Sequence, residues 1–153
     1  MDIAFYHLHA NHVAKSVPRL LEKIFSNGHR CVVVAGSTER VEALNSLLWT
    51  YAQGSFLPHG SKEDGNAAAQ PIWLTTEFEN PNQATVLVST DGMGIQETPS
   101  ILRYLDVFDG TDDESLRAAR KRWKHHQAQG DVLTYWQQDE AGQWQNKTPS
   151  AAD

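Results

Sequence analysis

Four cationic side chains near the end of the chain form a row whose spacing suits the binding of an anion. They recur at i, i+3, i+4 and i+7, which places them along one side of a helix. The four residues are Arg117, Arg120, Lys121 and Lys124. Trp123 lies beside the row, at its boundary with the face that the helix should bury. Such a surface suits a short acidic peptide with an apolar end, because the cations bind carboxylates and the aromatic edge receives the apolar side chain.

Two other interpretations of the cationic row stay open. A solvated helix face is the ordinary explanation, but these cations are not interleaved with acids, as a self-neutralising face requires. Single-stranded nucleic acid would stack on Trp123 and pair its phosphates with the cations. The whole chain carries a net charge of −6, which repels a polyanion longer than the row. We therefore favour the acidic peptide.

Trp49 is a second candidate for a partner contact. The recurrence of Val41, Leu44 and Leu48 predicts the buried stripe of a helix, and Trp49 falls on nearly the opposite side. A large aromatic side chain that points away from the core is typical of a binding surface. Packing under the neighbouring segment 55–58 explains the same pattern equally well.

Three histidines occur near the start of the chain, and two of them have the spacing of a pair of metal ligands. His7 and His9 lie two apart in a predicted strand, so their side chains point to the same side. His12 follows, but no second set of ligands stands out in the sequence. We therefore interpret these histidines as solvated or partner-facing, and we expect no metal or other cofactor.

Two glycine turns form the basis of an alternative hypothesis, a small nucleotide-binding α/β enzyme. Gly36 follows a buried strand and precedes a helix, but the turn lacks both common phosphate-binding motifs, and Glu39 would face the phosphate. Thr38 is better explained as the N-cap of the helix. Gly92 follows another strand, at a position where α/β folds often bind ligands. This turn has no basic residue beside it that could pair with a phosphate.

These side chains must be positioned by an alternation of strands and helices. Apolar patterns predict strands at 3–8, 30–35, 72–75, 85–89, 103–108 and 132–136 and helices at 13–25, 41–51 and 112–129. Thr111 and Glu114 form a capping-box pattern at the start of the last helix. A short edge strand is predicted at 55–57 and a surface loop at 59–70. The order of elements favours an α/β fold with a parallel sheet, in one domain over 1–145 with a frayed tail at 146–153.

Composition excludes several classes of protein. The chain has 153 residues, too few for a (β/α)8 barrel, which needs about 250. Its 40% hydrophobic content and five tryptophans exclude wholesale disorder. The longest apolar run, Cys31–Ala35, is far shorter than the about 20 residues that span a bilayer, and residues 1–3 show no signal-peptide pattern. We therefore expect a soluble, cytoplasmic protein, in which the single Cys31 forms no internal disulfide.

The ordered set of these features resembles the chi subunit family of bacterial DNA polymerase III, an accessory protein of the clamp-loader complex. The resemblance covers nearly the whole chain, and no single motif in it is catalytic. The residues that carry it are Phe5-Tyr6, Leu48-Trp49, Ser55-Phe56-Leu57-Pro58-His59, Ile72-Trp73-Leu74 and Ala119-Arg120-Lys121-Arg122-Trp123-Lys124.

The resemblance implies a Rossmann-like, mainly parallel α/β fold without a nucleotide site and without enzymatic activity of its own. It implies two kinds of partner. One is the acidic, phenylalanine-terminated tail of single-stranded DNA-binding protein, through which the association with single-stranded DNA is indirect. The other is the psi subunit, which connects the family to the clamp loader, with a helicase as an alternative to it.

The family's binding residues carry over to individual positions of this chain. Arg120, Trp123 and Lys124 match the residues that contact the tail, and Arg117 joins them. Trp123 stands where a tyrosine is usual in the family. Trp49 and Phe56 match the aromatic side chains that contact psi or the helicase.

Overall fold

The computed structural model describes residues 1–9, 13–51 and 57–149, and within them it contains one eight-stranded sheet and three α-helices. The strands are β1 (Asp2–Leu8), β2 (Cys31–Val34), β3 (Gly60–Ser61), β4 (Ile72–Thr75), β5 (Val86–Ser89), β6 (Arg103–Asp109), β7 (Val132–Gln138) and β8 (Trp144–Asn146). The helices are α1 (Val13–Ser26), α2 (Thr38–Thr50) and α3 (Asp113–Ala128). The strand order is β3-β4-β2-β5-β6-β1-β7-β8, and every neighbouring pair is parallel except β7 with β8.

The two faces of the sheet bury separate hydrophobic cores, because successive residues of a strand point to opposite faces. Val33 of β2 joins the core under α1 and α2, whereas Val32 and Val34 join the core under α3. All four residues of β2 are buried, as predicted for a strand that is covered on both faces. The predicted Rossmann-like α/β fold is therefore confirmed. No helix in the described part of the chain is long and apolar enough to cross a membrane.

The elements that apolar patterns predicted all occur close to their predicted bounds. Each of the six predicted strands of the central sheet coincides with an observed strand, from β1 to β7 without β3. The last helix, predicted at 112–129, is α3 with Asp112 as its N-cap and Gln129 as its C-cap. Its crossover from β6 returns the chain beside β1, where Phe5 pairs with Tyr135 of β7.

The N-caps of two helices lie one residue from the predicted positions. Ser37, not Thr38, caps α2, since its hydroxyl accepts from the backbone N–H of Arg40 at 3.2 Å. Asp112, not Thr111, caps α3 by accepting from the N–H of Ser115 at 3.0 Å. The hydroxyl of Thr111 instead donates to Asp109 at 2.7 Å. Neighbouring residues with suitable side chains compete for a cap, and the local pattern alone did not separate them.

The edge strand of the sheet lies inside the segment that was predicted as a surface loop. Gly60 and Ser61 form β3, are buried and pair in parallel with Trp73 and Leu74. A side chain at Gly60 would meet Gln70, since a Cβ atom there would lie 2.5 Å from its Cδ. The loop prediction for 59–70 is therefore wrong at its start. In the predicted edge strand at 55–57, positions 55 and 56 lie outside the described residues, and Leu57 is buried without belonging to a strand.

Candidate functional site

A buried ion pair fixes the orientation of α3 on the sheet. Arg122 donates from Nε and Nη2 to the two carboxylate oxygens of Asp106 on β6, at 2.7 and 2.9 Å. The side chain of Asp106 is 1% exposed, and burial raises the pKa of its carboxyl group while Arg122 opposes that rise. Because a bidentate pair sets direction as well as distance, the opposite side of α3 must face solvent.

The end of α3 is held by a second set of polar contacts. Asp131 accepts from the N-terminal ammonium group at 2.9 Å and lies 2.9 Å from Nδ1 of the buried His126. The hydrogen bond from the ammonium group, ahead of the one with His126, holds the pKa of Asp131 below its ordinary value. The middle and the C-terminal end of the helix are therefore positioned relative to β6 and to the start of β1.

The predicted cationic row lies on the exposed side of α3. All four of its side chains are exposed, and none has a carboxylate of the described residues within 4.0 Å. Arg117 donates to the carbonyl of Asp113, one turn earlier, at 3.3 Å. We refer to Arg117, Arg120, Lys121, Trp123 and Lys124 as the α3 surface. Its cations keep their charge available for a ligand.

Trp123 joins the α3 surface to an aromatic cluster on the sheet. Its half-buried indole packs edge-on against Phe5 and Tyr135, with ring centroids 5.2 and 5.7 Å away. The hydroxyl of Tyr135 lies 2.7 Å from Nδ1 of His7, within hydrogen-bonding distance. An apolar side chain placed beside Trp123 would therefore meet a rigid aromatic wall.

Tyr135 and His7 are site residues that sequence reasoning did not assign to this surface. Burial raises the pKa of Tyr135 and lowers that of His7, and in both cases the charge of Arg120 pulls the pKa down. Arg120 therefore interacts electrostatically with both groups. Only the parallel pairing of β7 with β1 brings them together, and the pairing of distant strands leaves no local pattern in the sequence.

Gly110 lets the His7 ring reach its position beside Tyr135. A Cβ atom at Gly110 would lie 1.7 Å from Cδ2 and Nε2 of the ring. We expect Gly110→Ala to displace the ring and lower the free energy of unfolding by about 1–3 kcal/mol, the usual cost of overpacking. Urea denaturation measures this cost. In a His7→Ala background the added methyl group meets no ring, so an equal cost in both backgrounds would contradict this account.

Trp49 is 56% exposed, as its position opposite the buried stripe of α2 predicts. Its ring packs edge-on against His59, with centroids 5.2 Å apart and an interplanar angle of 62°. Phe56, its predicted companion, lies outside the described residues. Trp49 is on α2 and the α3 surface is on the opposite face of the sheet, so the two candidate sites are separate.

The contacts at the two glycine turns do not favour the alternative hypothesis of a nucleotide site. Asp91 accepts from the N–H of Gly36 at 3.1 Å and pairs with Arg40 at 3.1 Å, so a carboxylate uses the donors that a phosphate would need. Gly92 follows in a left-handed turn with φ of 72°. The adjoining cavity of about 840 Å³ has two arginines among its described lining residues, Arg40 and Arg122, and both are paired with aspartates.

The remaining candidate chemistry is engaged in structural contacts. His7 bonds Tyr135, the backbone N–H of His9 donates to Gln138, and His12 lies outside the described residues. No group of three histidine, cysteine or acidic side chains in the described ranges could hold a metal ion. Cys31 is fully buried, and burial raises the pKa of its thiol to about 12.

Fold and site together define an α/β protein with a row of exposed cations on α3 and an exposed tryptophan, Trp49, on α2. The family model described as DNA polymerase III chi subunit, HolC, matches residues 1–134. The chain therefore belongs to the DNA polymerase III chi subunit family, as the resemblance predicted. The protein called probable DNA polymerase III subunit chi of Rickettsia prowazekii (strain Madrid E) is 37% identical over 107 residues. That alignment covers 70% of this chain and 65% of the relative.

Proposed function

We propose that this protein is a non-catalytic accessory subunit of the DNA polymerase III holoenzyme in DNA replication. In this role its α3 surface binds the acidic C-terminal tail of single-stranded DNA-binding protein and links that protein to the clamp loader. The observation that carries the proposal is the row of exposed cations beside Trp123, without carboxylate partners among the described residues.

The proposed mechanism is charge-assisted capture of a flexible peptide end. Arg120 and Lys124 pair with carboxylates of the tail, including its C-terminal carboxylate, and Arg117 extends the cationic row. The terminal apolar side chain lies against Trp123. Because all these cations are solvent-exposed, one contact is weak and screened by salt, and several tails on a multimeric partner make the binding effective.

The exposed Trp49 supports a second contact on the other face of the sheet. We propose that Trp49, together with Phe56, binds the psi subunit where one is present, or a helicase in its place. A 56% exposed indole that is already packed on one side by His59 fits an aromatic anchor of a protein interface. We further propose that one domain over 1–145 performs both tasks in the cytoplasm, with residues 146–153 as a tail, and that contact with single-stranded DNA through this function is indirect.

The contribution of the apolar end can be measured with a pair of peptides. We expect an acidic peptide that ends in phenylalanine to bind about 10- to 100-fold more tightly than the same peptide without that residue, given the free energy of burying a phenylalanine side chain. Isothermal titration calorimetry at low and high salt compares the two. Equal affinities would remove the apolar contact from the proposal, and affinities independent of salt would remove the cationic one.

A further inference from the structure

A second cationic and aromatic surface lies on the opposite face of the sheet from the α3 surface. It is a groove of about 410 Å³ between α1 and the β7–β8 hairpin. Lys15, Arg19 and Lys23 form one wall, and they recur every four residues of α1. At 1.5 Å per residue their backbones are about 6 Å apart along the helix. All three side chains are exposed, and no described carboxylate lies within 4.0 Å of them.

Aromatic side chains form the facing wall, and strand register places them there. Tyr6 pairs with Trp136 across β1 and β7, so both point to the same face of the sheet. Gln138 pairs with Trp144 across the hairpin and shares that face, because it lies two residues after Trp136. Tyr6 and Trp144 pack edge-on, with centroids 5.0 Å apart.

The groove is built on a rigid base. Gln138 is buried and donates from Nε2 to the hydroxyl of Ser16 at 2.6 Å, which ties the hairpin to α1. The buried indole nitrogen Nε1 of Trp136 has no hydrogen-bond acceptor in the described part of the chain.

We propose that this groove binds a short segment of single-stranded nucleic acid directly. A cationic track beside several aromatic rings is the arrangement that such ligands need, because each nucleotide brings one phosphate and one flat base. An acidic peptide that ends in phenylalanine uses the cations but brings one aromatic ring for three aromatic side chains. The α3 surface, with Trp123 beside its cations, fits that ligand better. The groove spans few nucleotides, so the net charge of −6 opposes binding less than it would for a long polyanion.

The experiment compares two triple variants of the full chain with the same change in net charge. One carries Lys15→Gln, Arg19→Gln and Lys23→Gln in the groove, and the other carries Arg117→Gln, Arg120→Gln and Lys124→Gln on the α3 surface. The probe is a fluorescently labelled oligothymidine of about 6 nucleotides, near the short end of known single-strand site sizes. Anisotropy titrations at several salt concentrations give the affinity and its salt dependence, and circular dichroism checks that both variants fold.

We expect the groove variant to bind the oligonucleotide at least about tenfold more weakly, and the slope of log affinity against log salt to fall by about 2 for three lost phosphate contacts. The α3 variant should keep its oligonucleotide affinity and lose the acidic peptide. Trp144→Leu should weaken oligonucleotide binding without changing the salt slope, since it removes stacking and no charge.

Other results would overturn the proposal. An oligonucleotide that does not bind the unmodified protein, or that binds the groove variant as tightly, removes the groove as a nucleic-acid site. Equal losses in both triple variants indicate that binding responds to the charge of the whole protein and is not located in the groove. Weaker binding of the acidic peptide to the groove variant, without binding of the oligonucleotide, assigns the groove to a peptide. Binding of the acidic peptide to the α3 variant tests the proposed function, and binding of the oligonucleotide to the groove variant tests the groove. A failure of one proposal is therefore distinguishable from a failure of the other.

Discussion

Replacing Arg122 by methionine is expected to lower the free energy of unfolding by about 3–5 kcal/mol, the usual cost of leaving a buried charge without its partner. Asp106 is 1% exposed and loses both charge-assisted hydrogen bonds in this variant. Urea denaturation at neutral pH measures the loss. Because Arg122 also sets the orientation of α3, we expect the variant to bind the acidic peptide less well than its stability alone would suggest.

The pH dependence of the same variant follows from the carboxyl group of Asp106. Burial already raises its pKa in the intact pair, and removal of Arg122 takes away the charge that opposes the rise. A folded-state pKa above the unfolded value means that the folded state binds the proton more tightly, so stability falls as pH rises through that range. The deficit of Arg122→Met should therefore shrink as pH is lowered from about 7 to about 5.

The double variant Arg122→Met/Asp106→Leu is the control for this prediction. It removes both charges and keeps apolar volume at the same place, so it should recover most of the stability that the single variant loses. Its stability should also lose the pH dependence of the single variant. A double variant that is no more stable than Arg122→Met would show that packing, and not the unpaired carboxylate, causes the loss.

The ion pair marks a limit of what the sequence could predict. Arg122 stands in the run Ala119-Arg120-Lys121-Arg122-Trp123-Lys124, and its type does not distinguish it from the exposed cations around it. The helical period shows that Arg122 does not belong to the cationic row. It does not reveal the partner, because Asp106 lies sixteen positions earlier, in a strand. A single acid within the apolar pattern of β6 does not indicate which helix will neutralise it.

Elements with strong apolar periods were predictable, and elements without them were not. The four buried residues of β2 and the exposed row of α3 both follow from local patterns that the fold preserves. β3 has only Gly60 and Ser61, whose burial depends on strand β4 and on Gln70 beside them. The pairing of β7 with β1 likewise depends on a crossover, so the contact of Tyr135 with His7 and Trp123 could not be predicted.

Reversing the charge of Arg120 is expected to have the largest effect on binding of the acidic peptide. Arg120→Glu should reduce the affinity more than about 100-fold, since it replaces an attraction by a repulsion in the middle of the cationic row, whereas Arg120→Ala should cost about 1–3 kcal/mol. Calorimetry at low salt measures both. The charge of Arg120 lowers the pKa of His7, so the reversal should also raise that pKa in a nuclear magnetic resonance titration.

Lys62→Glu is the matched control for the reversal. Lys62 is exposed and follows the edge strand β3, at the far end of the sheet from β7, and its reversal changes the net charge by the same amount. It should leave peptide binding and the pKa of His7 unchanged. If Lys62→Glu weakened binding as much as Arg120→Glu, the peptide would respond to the charge of the whole protein, and the α3 surface would have no special role. A loss confined to Arg120→Glu, with the His7 pKa raised in a folded protein, localises the peptide to the cations beside Trp123.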